Sequence, residues 1–239
     1  ASTNGSPVND GTTHLLAYSF RQSTPHARRT VNIADQFGTL WLTTEQSHVV
    51  RVRDGRFDNI PYENGTPGGS VPVMEVDSTG AVWVGTPEGL WTVRGDRLIR
   101  VGRGTLDAPA TALVRRRDGT LWVGTAGAGV FKVTNDLQVS KVVTDPAIEG
   151  GFVPHLMEDA SGVLWVVVVN RGLWSLRDHA LRVPGVPSSV VNLVQVRATG
   201  ALYAETHAGI YRFDSGVGVL VRPGSSAYGA RLWSDGDAV

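Results

Sequence analysis

The chain has 239 residues and no net formal charge, 22 basic side chains standing against 22 acidic ones, so no global field draws it to nucleic acid or an anionic membrane surface. Hydrophobic residues make up 41% and charged ones 18%, with 29 glycines and 12 prolines, which excludes a disordered chain and describes a folded, turn-rich one. There is no cysteine, so disulfides, thiolate metal sites and a cysteine nucleophile are excluded, and no apolar run reaches the length of a membrane helix.

In chain order, the opening ASTNGSPVNDG is polar and rich in small residues, as a processed N-terminus would be, and this is compatible with export. Residues 14–22 (HLLAYSFRQ) have strand character. A phrase then begins that returns five times: FGTLWLTT at 37–44, TGAVWVGT at 79–86, DGTLWVGT at 118–125, SGVLWVVV at 161–168 and TGALYAET at 199–206. Its aromatics, Trp41, Trp83, Trp122, Trp165 and Tyr203, are spaced by 42, 39, 43 and 38 residues, a period that predicts a radial β-sheet repeat.

Each copy carries a glycine three residues before its aromatic (Gly38, Gly80, Gly119, Gly162, Gly200) and a second anchor six or seven residues after it (His48, Gly89, Gly129, Gly172, Gly209). The pattern predicts an apolar strand, a tight turn, an aromatic strand, a corner, an alternating third strand and a short fourth one. Asp35, Asp77 and Asp159 precede their glycines by three positions, where a carboxylate can accept from the turn's own amides. Leu121, Trp122 and Val123 are all apolar, as in a strand covered on both faces. The last residues, RLWSDGDAV at 231–239, match the start of a sixth copy.

The expected fold is a single all-β domain over 1–239, a β-propeller of four-stranded antiparallel blades. Five complete units lie at about 30–61, 72–103, 110–143, 153–183 and 190–221. A partial sixth combines the strand at 14–20 with residues 229–239; the alternative is a truncated seven-bladed ring.

The run Asp77, Gly80, Val82-Trp83-Val84-Gly85-Thr86, Gly89-Leu90 resembles the regulator-propeller repeat of bacterial signalling proteins, whose pattern is approximately D-x-x-G-x-L-W-(I/V)-G-T-x-x-G-(L/I). Copies three and four fit with small departures, while Thr43 and Glu205 replace a glycine in copies one and five. This resemblance implies the periplasmic sensor region of an inner-membrane histidine kinase or diguanylate cyclase, with the output domain outside this chain. Copy one, GTLWLTTEQSHVVRV, is also similar to streptogramin-lyase-like propellers, which implies the alternative of a metal-assisted enzyme using His48 and His207.

Catalytic and metal motifs are missing from the sequence. There is no H-x-H, no H-E-x-x-H and no G-x-S-x-G elbow, so no catalytic residue, metal or cofactor is assigned and a non-enzyme is expected. GTPEG and GTAGAG lack the lysine of a phosphate loop and read as blade corners. Arg115-Arg116-Arg117 is the one basic run, placed at a turn where it could attract an anion or simply face solvent.

In a propeller the corners between second and third strands share one face with the links between blades, and ligands commonly enter there. That face is expected to present Glu45, His48, Glu88, Asn170, Arg171 and His207 from the corners, and Tyr62, Phe152, His155 and Tyr228 from the links. This mixture suits a sugar or a peptide; a protein partner, including a second copy of the chain, is the scaffold alternative.

Overall fold

The computed structural model describes residues 32–224, except 45–46, 70, 72, 78, 143–144, 178, 197–198 and 215–216. Those residues form five four-stranded antiparallel sheets, each a meander in which successive strands pair. The first sheet is β1 (Asn32–Ala34), β2 (Leu40–Thr43), β3 (Val49–Arg53) and β4 (Arg56–Ile60). The second is β5 (Val73–Val76), β6 (Val82–Thr86), β7 (Gly89–Arg94) and β8 (Arg97–Val101). The third is β9 (Ala110–Arg115), β10 (Leu121–Thr125), β11 (Val130–Val133) and β12 (Val139–Val142). A four-residue helix, α1 (Pro146–Glu149), leads to the fourth, β13 (His155–Glu158), β14 (Leu164–Val168), β15 (Gly172–Leu176) and β16 (Ala180–Arg182). The fifth is β17 (Val190–Gln195), β18 (Leu202–Thr206), β19 (Gly209–Asp214) and β20 (Val217–Pro223). The expected all-β blades are thus present, and the partial sixth from 14–20 and 229–239 lies outside the described residues.

The first strands adjoin one another in series, β1 with β5, β5 with β9, β9 with β13 and β13 with β17. They therefore form the inner wall, with the fourth strands outermost. Four apolar cores fill the four seams between successive sheets. Alternation along the second strand divides its side chains between two seams. Leu121 and Val123 pack toward the second sheet, while Trp122 between them packs toward the fourth. Trp41, Trp83 and Trp165 likewise each enter the seam with the following sheet. Each tryptophan is buried, contributing about 2–3 kcal/mol to its seam. Tyr203, on the last described sheet, is only half-buried.

Close approach fixes the glycine of the V-G-T sequence. A Cβ on Gly85 would stand 2.7 Å from the carbonyl oxygen of Ala110 on the next sheet and 2.5 Å from Cγ1 of Val73. The turn glycine has another cause: Gly80 has φ +82°, a left-handed angle that side chains with a Cβ disfavour.

Candidate functional site

A meander places the corners between second and third strands on one face, with the inter-sheet links, and the other two turns of each blade on the opposite face. On the corner face the motif threonines hold the backbone. Thr86, Thr125 and Thr206 are fully buried. Their hydroxyls donate to the carbonyls of Gly89 (3.2 Å), Gly129 (2.7 Å) and Gly209 (2.9 Å) and accept from the amides of Glu88, Ala128 and Ala208.

Tyr62 is buried edge-on against Trp91, ring centroids 4.9 Å apart, and its hydroxyl donates to the carbonyl of Ser47 at 3.0 Å. Burial, and then the charge of nearby Glu88, raise its pKa. Glu88 is exposed and accepts from the amide of Gly68 at 3.4 Å. Both residues lie at the seam of the first and second sheets.

At the third-to-fourth seam, Arg171 donates to the carbonyl of Ala147 at 2.6 Å, tying its corner to α1. Asn170 beside it is exposed at φ +59°, and Phe152 is 44% exposed. His155 lies in β13, not in the preceding link, with its ring 3.4 Å from the carbonyl oxygen of Leu193; burial lowers its pKa. His48 is half-buried on the first sheet, whereas His207 is exposed on the fifth. Glu45 and Tyr228 lie outside the described residues. The structure therefore gathers Tyr62 with Glu88, and Phe152 with Asn170 and Arg171, and leaves the histidines on different sheets. Among the described residues no group of three His, Asp or Glu is placed to hold a metal.

The opposite face is built from turn carboxylates and arginines. Asp35 accepts from the amides of Phe37 (2.9 Å) and Thr39 (2.8 Å), Asp77 from Thr79 and Ala81, and Asp159 from Ser161 and Val163. Burial would raise the pKa of Asp159, yet the bonds from Trp165, Ser161 and Val163 hold it below its ordinary value. Where the third copy has Arg116 in place of the turn aspartate, its guanidinium crosses to the fourth sheet. There it meets Glu158 (3.0 Å) and the carbonyl of Gly162 (2.7 Å), and it lies over Trp122 at 5.4 Å. Arg117 follows, its amide donating to Glu158 and its guanidinium to the carbonyl of Ala160. Arg115 turns the other way, to Asp77 on the second sheet at 3.4 Å. The basic run thus fastens three blades.

Beside it lies a cleft of about 520 Å³ lined by Asp77, Thr79, Trp83, Arg94, Arg115, Arg116, Arg117 and Asn135. Glu75 sits at this seam in the inner strand. Burial, and then Asp77, push its pKa up to about 7 against the opposing pull of Arg115. The sequence reading passed over Glu75; a lone carboxylate in the apolar run VPVMEV was its only signal.

No family model matches the chain, and no curated protein does. Solved structures do. A streptogramin B lyase aligns with TM-score 0.65 at 16% identity over 86% of this chain and 72% of its own. The extracellular domain of a putative one-component system from B. thetaiotaomicron aligns with TM-score 0.63 at 17% identity, over 79% of this chain and 30% of its own. That of a putative hybrid two-component system from the same organism aligns with TM-score 0.63 at 16% identity, over 87% and 31%. The fold is a β-propeller. This propeller spans about a third of the length of those extracellular domains, and at such identities the likeness concerns the fold alone.

Proposed function

We propose that this propeller is a non-catalytic, extracytoplasmic ligand-sensing domain of a longer bacterial signalling protein. It recognises a small ligand or a partner surface and passes a rearrangement to an output domain outside this chain. The observation that supports this most is the distribution of polar chemistry on the corner face. Groups fit for acid–base work sit on different blades, His48 on the first, His155 on the fourth and His207 on the fifth, while Tyr62 is committed to Ser47. Scattered exposed groups such as Glu88, Asn170 and His207 suit recognition better than a concerted reaction. The likeness to extracellular domains of putative one- and two-component systems agrees with this reading and with a periplasmic location.

A thermal-shift screen of the chain against oligosaccharides, peptides and cell-wall fragments tests it. A reproducible rise in Tm with one chemical class is the expected outcome, since a ligand that binds only the folded state stabilises it. No shift with any class, together with normal signalling by a receptor lacking residues 1–239, contradicts it.

A second reading, a streptogramin-lyase-like enzyme with a divalent ion at His48 and His207, draws on the lyase alignment. It requires streptogramin turnover that stops in His207→Ala. Absence of turnover and of bound metal in the purified chain removes it.

A further inference from the structure

Four buried indoles, one from the second strand of each of the first four blades, can be compared at the same hydrogen-bonding task, and one stands out. Trp165 donates to Asp159 (2.8 Å), Trp41 to Asp35 (3.3 Å) and Trp122 to Thr120 (3.1 Å). Trp83 is 3% exposed, lines the cleft, and its Nε1 has no partner among the described residues. The cause is visible. Asp77 Oδ1 is taken by Thr79 and Ala81, and Oδ2, which in the fourth blade serves the indole, instead faces Arg115 at 3.4 Å. That separation is long for a charge-assisted bond, which settles near 2.7–2.9 Å. The cleft therefore holds a buried donor without an acceptor and, on Asp77, a carboxylate oxygen engaged only at long range by Arg115.

Its charge is one-sided. Four guanidiniums line it, from Arg94, Arg115, Arg116 and Arg117, against the single carboxylate of Asp77. The guanidinium of Arg116 is held by Glu158 and the carbonyl of Gly162, and that of Arg117 by the carbonyl of Ala160. Arg94 is exposed and has no ion-pair partner among the described residues. Arg115 donates to Asn135 at 3.0 Å and keeps only the loose contact with Asp77.

We propose that this cleft binds an oxyanion, a carboxylate, sulfate or phosphate group held by Arg94 and Arg115, and that occupancy hands the Asp77 carboxylate over to the indole N–H of Trp83. The anion replaces the long Asp77 contact of Arg115 with a closer, charge-assisted one. Asp77 then adopts the role that Asp159 already plays toward Trp165, and the buried indole N–H is satisfied. The inference is independent of the sensor reading, because the seam would bind an oxyanion equally in a scaffold or an enzyme.

The test is isothermal titration of the 239-residue chain with glucuronate, inorganic sulfate and inorganic phosphate, at an ionic strength fixed with chloride, alongside tryptophan emission. Saturable binding of at least one of them is expected, with an emission change that vanishes in Trp83→Phe. Arg115→Gln and Arg94→Gln should each weaken the affinity by at least about tenfold, as loss of a charge-assisted contact requires. Arg94→Gln keeps the test decisive if Arg115→Gln fails to fold, since Arg94 is exposed. Which anion binds identifies the ligand chemistry. Binding no stronger than the chloride background, or an affinity unchanged in Arg94→Gln, overturns the site. An emission change that persists in Trp83→Phe overturns the hand-over.

Discussion

Trp91 and Trp174 occupy equivalent places in the third strands of their blades, paired with Val84 and Val166, yet their indoles fare differently. Trp91 donates to the hydroxyl of Thr86 at 3.1 Å, whereas the buried Nε1 of Trp174 has no partner among the described residues. The equivalent of Thr86 in that copy is Val168, which has no hydroxyl. Val168→Thr should therefore raise stability by about 1 kcal/mol in urea unfolding, the net value of one buried hydrogen bond; a loss of stability would show that the hydroxyl cannot reach Trp174. Glu75 gives a second prediction. Its folded pKa, near 7, lies above its ordinary value, so ionisation favours the unfolded chain. The stability tied to protonated Glu75 is fully present below about pH 4.5 and is lost as pH rises to about 7, by at most about 3 kcal/mol. Glu75→Gln should flatten that fall in unfolding experiments between pH 5 and 8. A wild-type slope retained in the variant would assign it elsewhere, and His155, whose lowered pKa costs stability toward acid, has the opposite sign.

At the scale of the element, the seam is the unit of stability. The aromatic of one second strand enters the space before the next sheet, and the residues on either side of it close the seam behind. Trp122→Ala should cost about 3–5 kcal/mol, as large cavities in close-packed cores do. Tyr203→Ala, on a sheet with no following sheet among the described residues, should cost distinctly less, and equal losses in denaturant titrations would contradict the seam account. Much of this was legible in the sequence, because the Gly–aromatic spacing and the apolar run through Leu121, Trp122 and Val123 follow from blade geometry alone. Asp35, Asp77 and Asp159 were likewise readable as turn acceptors, since their bonds are local. The partners of Arg115, Arg116 and Glu75 were not. They lie on other blades, and a repeat period states which blade follows without stating which side chains cross the seam. For the same reason Tyr62 could be expected in a loop, while its burial against Trp91 could not be foreseen.

Across the whole molecule, the two faces differ in kind. The corner face carries separated polar groups on a backbone fixed by buried threonines, while on the turn face guanidiniums and carboxylates bind the second, third and fourth blades together. A body assembled this way changes shape by shifts at its seams, which is where a bound group on either face would act. The central claim is that such a group is recognised without being transformed. Calorimetric titration with the best ligand from the screen, followed by mass spectrometry of the recovered ligand, addresses it most directly. The account predicts a saturable isotherm and a ligand of unchanged mass after prolonged incubation; product accumulating beyond one equivalent of protein would contradict it.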